Sequence, residues 1–518
     1  MAKPRTLFLL TGSLSLFIYI FTLAPTITWR NAGIDSGDLA AAVAVGGVPH
    51  PPGYPTYLIL AEVFKFLPFG DIAYRLNLLS ATCAALTIAL VGLIIHHTLS
   101  VTSLHQAPLE TGRTSNAAGL IWLSAVTASL TLAFSGIFWS QAVIAEVYAL
   151  NALFAAVLIY GALRVNAANE RWLVPGLFVM LGLSLGNHPS IFLLLPMLVW
   201  ILKTRWRWRL VFAALVSTCV GLCVYLVIPL RAAASPPINW GMATILPNFL
   251  WLVTAQLYRQ FLFTLPWKHV PARVVTELHL LTATSMWWVL PVGVFGLVRP
   301  GRLNCSLGYS SLITFALFSM YAIGYNTTDS HVYLLPALMV FSLWVGWGLY
   351  DLGIAVQEAM KSRPRSVDLL VWGLLLLPII SLFLNFPNQD ISQDDEARSY
   401  AQQNLQLVAP DAVIIADNDP QTFALWYGRY GLVLRSDVAI INSNLLPYAW
   451  YRQALGQTHG DLRLIDQRGQ PLTTLPAFIK WNLPNSPIYL ATMQPPPMEG
   501  YHLEPVLQLH QVKQLTVD

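Results

Sequence analysis

Apolar segments long enough to cross a bilayer recur through the first three-quarters of this 518-residue chain. Such a pattern leaves little freedom. A helical crossing takes about 20 apolar residues, and a backbone inside hydrocarbon must satisfy its own hydrogen bonds. The pattern therefore predicts an α-helical polytopic membrane protein. Candidate spans fall at 7–26, 76–98, 118–137, 140–163, 173–186, 189–202, 210–229, 278–298, 306–324, 332–350 and 368–386, about eleven in all. Those at 173–186 and 189–202 are short and read as broken or tilted helices. Composition agrees: 56% of residues are hydrophobic and 10% charged, where a soluble domain carries about 25% charged. No soluble core of this length could hide so much apolar surface.

Basic residues in the short loops set the orientation. With the N-terminus inside, the cytoplasmic segments collect Lys3, Arg5, Arg113, Arg164, Arg171, Lys203, Arg205, Arg207, Arg209, Arg299, Arg302, Lys361, Arg363 and Arg365. The longer outer loops are poorer in base. This bias places Asp35, Asp38, the 230–277 loop and the C-terminal segment on the non-cytoplasmic side. The N-terminal apolar run reads as an uncleaved first span rather than a signal peptide. Cys83, Cys219, Cys223 and Cys305 lie in or beside spans, which argues against a disulfide framework, and Cys219 with Cys223 at helical spacing reads as small apolar packing.

From 388 onward the chain changes character. An acidic stretch, Gln389 to Glu396, opens it. Ala412–Ala416 and Val438–Asn442 read as buried strands, Gln421–Tyr430 as the helix between them, and Ser486–Ala491 as a third strand. Strand–helix–strand order predicts a small α/β domain with a partly parallel sheet. The division expected is 1–387, a transmembrane catalytic domain, and 388–518, an extracytoplasmic α/β domain. No glycine-rich phosphate loop appears in it, so nucleotide binding has no support, and no nucleic-acid partner is expected. No cluster has zinc-ligand spacing, and a divalent metal is left open.

Several polar groups stand where a bilayer meets water. Asp35-Ser36-Gly37-Asp38 follows the first span. It reads either as a capping box for the run Leu39–Val45 or as a catalytic pair, two like charges raising one pKa toward a useful value. The stiff loop His50-Pro51-Pro52-Gly53-Tyr54-Pro55 reads as a connector or as a wall of the site, with His50 or Tyr54 on substrate. Glu146, inside the 140–163 span near its outer end, is expected to line or support the site; a charge at the membrane centre costs about 2.5–3.5 kcal/mol on insertion scales. His188, in Gly186-Asn187-His188-Pro189, marks an outer turn. Arg231 and Arg259 bracket the second large outer loop, where a guanidinium suits phosphate. Asn239-Trp240-Gly241 presents Trp240 at the interface. Asp329 with Tyr333 is a further outer-edge group.

Taken in order, these segments resemble a broad family of polytopic proteins, once known only as a domain of unknown function, whose animal member is an endoplasmic-reticulum protein O-mannosyltransferase acting on receptor IPT domains. The resemblance runs through Asp35-Ser36-Gly37-Asp38, His50 to Pro55, Ala145 to Asn151, Gly182 to His188, Asn239-Trp240-Gly241, Tyr325 to Tyr333, Trp426-Tyr427 and Asn442. The ordered set carries it, covering nearly the whole chain. It implies a GT-C type fold, acidic catalytic residues in the first outer loop, and a polyprenyl-phosphate sugar as donor. The family often has Glu where this chain has Asp38, whose carboxylate is drawn back by about one bond length.

The function expected is transfer of a sugar, mannose by this resemblance, from a polyprenyl-phosphate donor to an acceptor hydroxyl outside the cytoplasm. Asp35 or Asp38 is the base, Arg231 or Arg259 receives the phosphate, and His50, Tyr54, Glu146, His188, Trp240, Asp329 and Tyr333 line or support the site. One carboxylate suffices, because a phosphate leaving group needs no protonating acid. The acceptor is a protein, a lipid or a glycan, and the C-terminal domain helps to hold it. A bacterial plasma membrane is the expected location rather than the endoplasmic reticulum. A transporter for lipid-linked sugars is the other class weighed; it predicts inverted repeats around the midplane, which the sequence lacks.

Overall fold

The computed structural model describes residues 4–106, 114–168, 172–203, 207–285, 287–299, 302, 306–360, 372–492 and 498–515. Lys3, Arg113, Arg171, Arg205, Cys305, Lys361, Arg363, Arg365 and the start of the 368–386 span lie outside the described residues.

Among the described residues, six helices are long and apolar enough to cross a membrane: Pro4–Thr22, Ile72–Val101, Tyr148–Asn166, Trp208–Ala233, Leu307–Gly324 and Ser330–Ala359. A seventh arises if Ala117–Ala133 and Gly136–Ala142, bent by 68°, form one span. Leu173–Leu185, Pro189–Leu202 and Val289–Val298 are shorter apolar helices. The protein is thus helical and multi-pass, with fewer helices of full spanning length than the eleven apolar runs. The 278–298 run explains part of the difference: it is split between helices Val270–Ser285 and Val289–Val298, with Trp287 and Trp288 in a turn.

The 140–163 run also corrects the expectation. It is not one helix. Helix Gly136–Ala142 stops, Val143–Val147 is irregular, and a new helix begins at Tyr148. Glu146 therefore sits in a break, not within a span. Side chains and backbone from elsewhere satisfy the freed groups, as buried backbone requires. The Ala24 N–H donates to the Val143 carbonyl (3.0 Å). The Ser80 hydroxyl donates to the Glu146 carbonyl (3.2 Å) and accepts from the Glu146 N–H (3.4 Å). Asn187 Nδ2 donates to the Val147 carbonyl (3.1 Å).

Packing separates inner helices from outer ones. Within the apolar window of Ser330–Ala359, 94% of residues are buried, against 28% for Trp208–Ala233. The latter turns Phe212, Leu215, Leu226 and Leu230 outward, and Cys219 and Cys223 are exposed on it rather than packed inside. Its inner edge approaches helix Leu173–Leu185 so closely that a Cβ at Gly182 would meet the Thr218 carbonyl at 2.3 Å.

The C-terminal segment forms a five-stranded sheet in the order β2-β1-β3-β5-β4. The strands are β1 (Val413–Ala416), β2 (Ala439–Asn442), β3 (Ile488–Ala491), β4 (Tyr501–Val506) and β5 (Leu509–Gln514). β1 pairs in parallel with β2 and β3, whose apolar residues are wholly buried, as parallel strands generally are. The β4–β5 hairpin, not anticipated, continues the sheet antiparallel from β3. The crossover helix, Asp419–Trp426, begins two residues earlier than expected.

This segment lies against the loop that follows the first helix and the start of helix Ile72–Val101. The Ile391 N–H donates to the Thr22 carbonyl (3.2 Å), Trp29 Nε1 to the Pro420 carbonyl (3.1 Å), and the Ala73 N–H to the Tyr427 hydroxyl (3.2 Å). The Thr28 hydroxyl bonds the Asp394 carboxylate. Helix Ser36–Ala44 and helix Asp419–Trp426 touch at Gly37, where a Cβ would lie 2.6 Å from the Phe423 carbonyl.

Candidate active site

Asp35 and Asp38 open helix Ser36–Ala44, yet they do not form a capping box: Asp35 makes no side-chain cap bond. Their fates differ. Asp38 is fully buried and both its oxygens are engaged. Oδ1 accepts from Trp240 Nε1 (3.1 Å). Oδ2 accepts from the His50 backbone N–H (2.8 Å) and from Nδ1 of its ring (2.7 Å). His50 Nε2 faces the Asp35 Oδ2 at 3.4 Å and the Tyr54 hydroxyl at 3.0 Å. The result is a chain, Trp240–Asp38–His50–Asp35, in which Asp35 is the most open member, its side chain 34% exposed against 4% for His50.

Local sequence explains the geometry. The Gly53 N–H closes a turn onto the His50 carbonyl (2.9 Å), Gly53 and Tyr54 take positive φ (86° and 44°), and Pro55 starts the next helix at its first turn. The turn folds the Tyr54 hydroxyl back onto the His50 ring. Phe423, from the C-terminal segment, stacks on the other side of that ring at 6.2 Å with planes 17° apart.

The electrostatics follow. Burial drives the Asp35 pKa up to about 6; His50 opposes this, while Asp419, Asp329 and Asp38 add to it. Burial alone would depress His50, but Asp35, Asp38 and Asp419 outweigh it and hold the ring near 9. Near neutral pH the pair is an imidazolium against a carboxylate. His188 goes the other way, down to about 4, through burial and then the charge on His50.

Asp35 opens onto a cavity of about 880 Å³. Its walls bring together the expected residues Asp35, His50, Tyr54, His188, Arg259, Asp329 and Tyr333. Tyr148, His188, Tyr321 and Tyr325 surround Tyr333 at centroid distances of 5.0–5.5 Å, making one aromatic wall. Phe192, Leu193, Val253, Phe261 and Leu262 form an apolar side.

Four expected residues lie off the lining. Asp38 and Trp240 stand behind His50, so Asp38 faces that ring rather than the cavity, and Trp240 is buried rather than displayed at the interface. Glu146 is buried, with Oε1 lacking a hydrogen-bond partner. Arg231 is withdrawn: it donates to Glu62 Oε1 (2.6 Å) and the Gly47 carbonyl (3.0 Å), so Glu62 already neutralises it. Arg259 is the arginine at the cavity. The sequence reading missed Tyr148, Tyr258, Tyr325 and His331, and from the C-terminal segment Asn418, Asp419 and Asn444. Asn418-Asp419-Pro420 did carry a signal, a helix start carrying a spare acid. Among the described residues no group of three or more His, Cys, Asp or Glu is set to hold a metal ion.

The fold is GT-C type: the structure of ArnT from Cupriavidus metallidurans in the apo state aligns with TM-score 0.50 and 12% identity, over 88% of this chain and 94% of that one. Two family models match parts of the chain. Residues 35–212 match the Protein O-mannosyl-transferase TMEM260 N-terminal domain, and 397–464 match TMEM260-associated domain 2. Among relatives, Protein O-mannosyl-transferase TMEM260 of Mus musculus is 26% identical over 474 residues, 85% of this chain and 64% of the relative. Protein O-mannosyl-transferase tmem260 of Dictyostelium discoideum is 19% identical, over 84% and 57%. The chain is similar to this family along most of its length, and it spans under two thirds of the length of these curated relatives.

Proposed function

We propose that the chain is an inverting glycosyltransferase that moves a sugar, mannose by the names of its relatives, from a polyprenyl-phosphate donor to a hydroxyl of a protein acceptor on the non-cytoplasmic face. The observation that carries this reading is an ionisable carboxylate, Asp35, set against His50 and open to a cavity with an aromatic wall, an apolar side and one arginine.

The reaction uses each part. The acceptor hydroxyl gives its proton to Asp35 and its oxygen bonds the anomeric carbon. The bond from that carbon to the phosphate oxygen breaks, and polyprenyl phosphate leaves with the electron pair. A base with pKa near 6 is ionised at neutral pH and still accepts a proton in the transition state. His50, fixed by Asp38 and Trp240, keeps a positive charge beside Asp35 and stabilises its ionised form. Arg259 meets the charge developing on the phosphate, the polyprenyl chain lies along Phe192, Leu193, Phe261 and Leu262, and the tyrosines pack against the sugar.

The test uses the full chain in lipid nanodiscs, a polyprenyl-phosphate donor with labelled mannose, and a folded IPT domain as acceptor. Asp35→Asn is expected to lower transfer about 10²–10⁴-fold with unchanged thermal unfolding. Wild-type rates in that variant would contradict the assignment.

A further inference from the structure

Asp419 is a carboxylate that the mechanism above does not use. It lines the cavity at the start of helix Asp419–Trp426, and its side chain is exposed to that space. The helix does not need it as a cap: Asn418 Oδ1 already accepts the Gln421 N–H (3.1 Å). Among the described residues, the positive charge acting on it is that of His50, with Asp38 opposing. It therefore belongs to the reactive end of the cavity. Phe423, one turn further along the same helix, stacks on His50 and confirms that placement.

The loops that carry it are built to be rigid. Asp417 to Asp419 follow β1 and Ser443–Asn444 follow β2, at the carboxyl ends of adjacent parallel strands, where open α/β sheets generally bind ligands. The Ser443 hydroxyl donates to the Ala416 carbonyl (3.2 Å), Asn444 Nδ2 to the Asp417 carbonyl (2.6 Å), and the Asn444 N–H to Asn442 Oδ1 (3.0 Å). Asn444 also faces the cavity.

Charge decides what such a pair can bind. A carboxylate turned toward a phosphate is repelled, so Asp419 cannot serve the leaving group that Arg259 receives. Turned toward neutral hydroxyls it accepts charge-assisted hydrogen bonds, about twice as strong as neutral ones. Carboxylate and amide beside an aromatic wall match the edge and face of a hexose. Resting on the glycosyl-transfer reading, we propose that Asp419, with Asn444, binds hydroxyl groups of the sugar being transferred. The C-terminal sheet then sets sugar specificity, while the membrane part supplies base and phosphate site.

The experiment measures binding, not turnover, so that effects on the base do not enter. The full chain in nanodiscs is titrated with polyprenyl-phosphate mannose and with polyprenyl phosphate bearing no sugar. Asp419→Asn is expected to weaken the sugar-linked lipid about 10- to 100-fold, and Asn444→Ala about 5-fold, with the bare lipid bound as in wild type. Unchanged affinity for the sugar-linked lipid in both variants overturns the proposal. So does an equal loss for both lipids, which means a distorted cavity. A wild-type chain that binds neither lipid refutes the glycosyl-transfer reading itself, and this inference with it.

Discussion

His50 decides which of the two aspartates does what. Its Nδ1 is spent on buried Asp38 and its Nε2 is turned toward cavity-facing Asp35. A rate limited by this base should rise with pH through about 6, as Asp35 ionises, and fall through about 9, as His50 loses its proton. Replacing Asp38 by Asn removes the neighbour that helps hold His50 charged, so the alkaline limb should move to lower pH while the acid limb persists. An unmoved profile of kcat/KM would show that Asp38 does not act through His50. Stability carries a related sign. The folded His50 pKa lies above its ordinary value of 6.5, so its contribution is complete below 6.5 and is lost as pH climbs through 9. His50→Gln should flatten that part of the stability curve, read from unfolding midpoints across pH. In the sequence the two acids look equivalent. What separates them is Trp240, 202 residues away, a contact no local pattern encodes. Arg231 and Arg259 are likewise indistinguishable until Glu62 is seen to hold the first.

At the scale of elements, apolar periodicity located most helices but not their interruptions. Val143 to Val147 are mostly apolar, so nothing local announces a break; the groups that make it tolerable come from elsewhere, Ser80 from helix Ile72–Val101 and Asn187 from the turn after helix Leu173–Leu185. Ser80→Ala should therefore destabilise the fold by about 1–3 kcal/mol, the cost of leaving a buried backbone group unpaired, measurable as a lowered unfolding midpoint. The contact between helices Ser36–Ala44 and Asp419–Trp426 makes a sharper case. A side chain at Gly37 has no room beside the Phe423 carbonyl, and forcing one in costs about 1–3 kcal/mol. Gly37→Val should lower both stability and transfer, because the displaced helix carries Phe423 off His50. Full activity in Gly37→Val would argue against any role for that contact. The acids of the Asp35-Ser36-Gly37-Asp38 segment attract notice in the sequence, but the glycine between them is what lets the C-terminal segment close over the site.

At the scale of the whole molecule, the expected boundary at 387/388 divides the chain by composition, whereas the cavity draws on both sides of it. Polar positions at strand ends, Asn418, Asp419 and Asn444, sit with Asp35 although nearly 400 residues separate them. The chain cut after residue 387 should therefore be inactive even if it inserts. Orientation is testable separately. Gln467, exposed on the C-terminal segment, should label as Gln467→Cys with a membrane-impermeant maleimide from the non-cytoplasmic side; labelling only after permeabilisation would reverse the topology read from the basic loops. The most direct measurement is a structure of the full chain with a non-transferable polyprenyl-phosphate sugar bound. Phosphate is expected on Arg259, with the anomeric carbon beside the Asp35 carboxylate and room for one hydroxyl between them. Donor seated outside this cavity, or its phosphate held at Arg231 and Glu62, would contradict it.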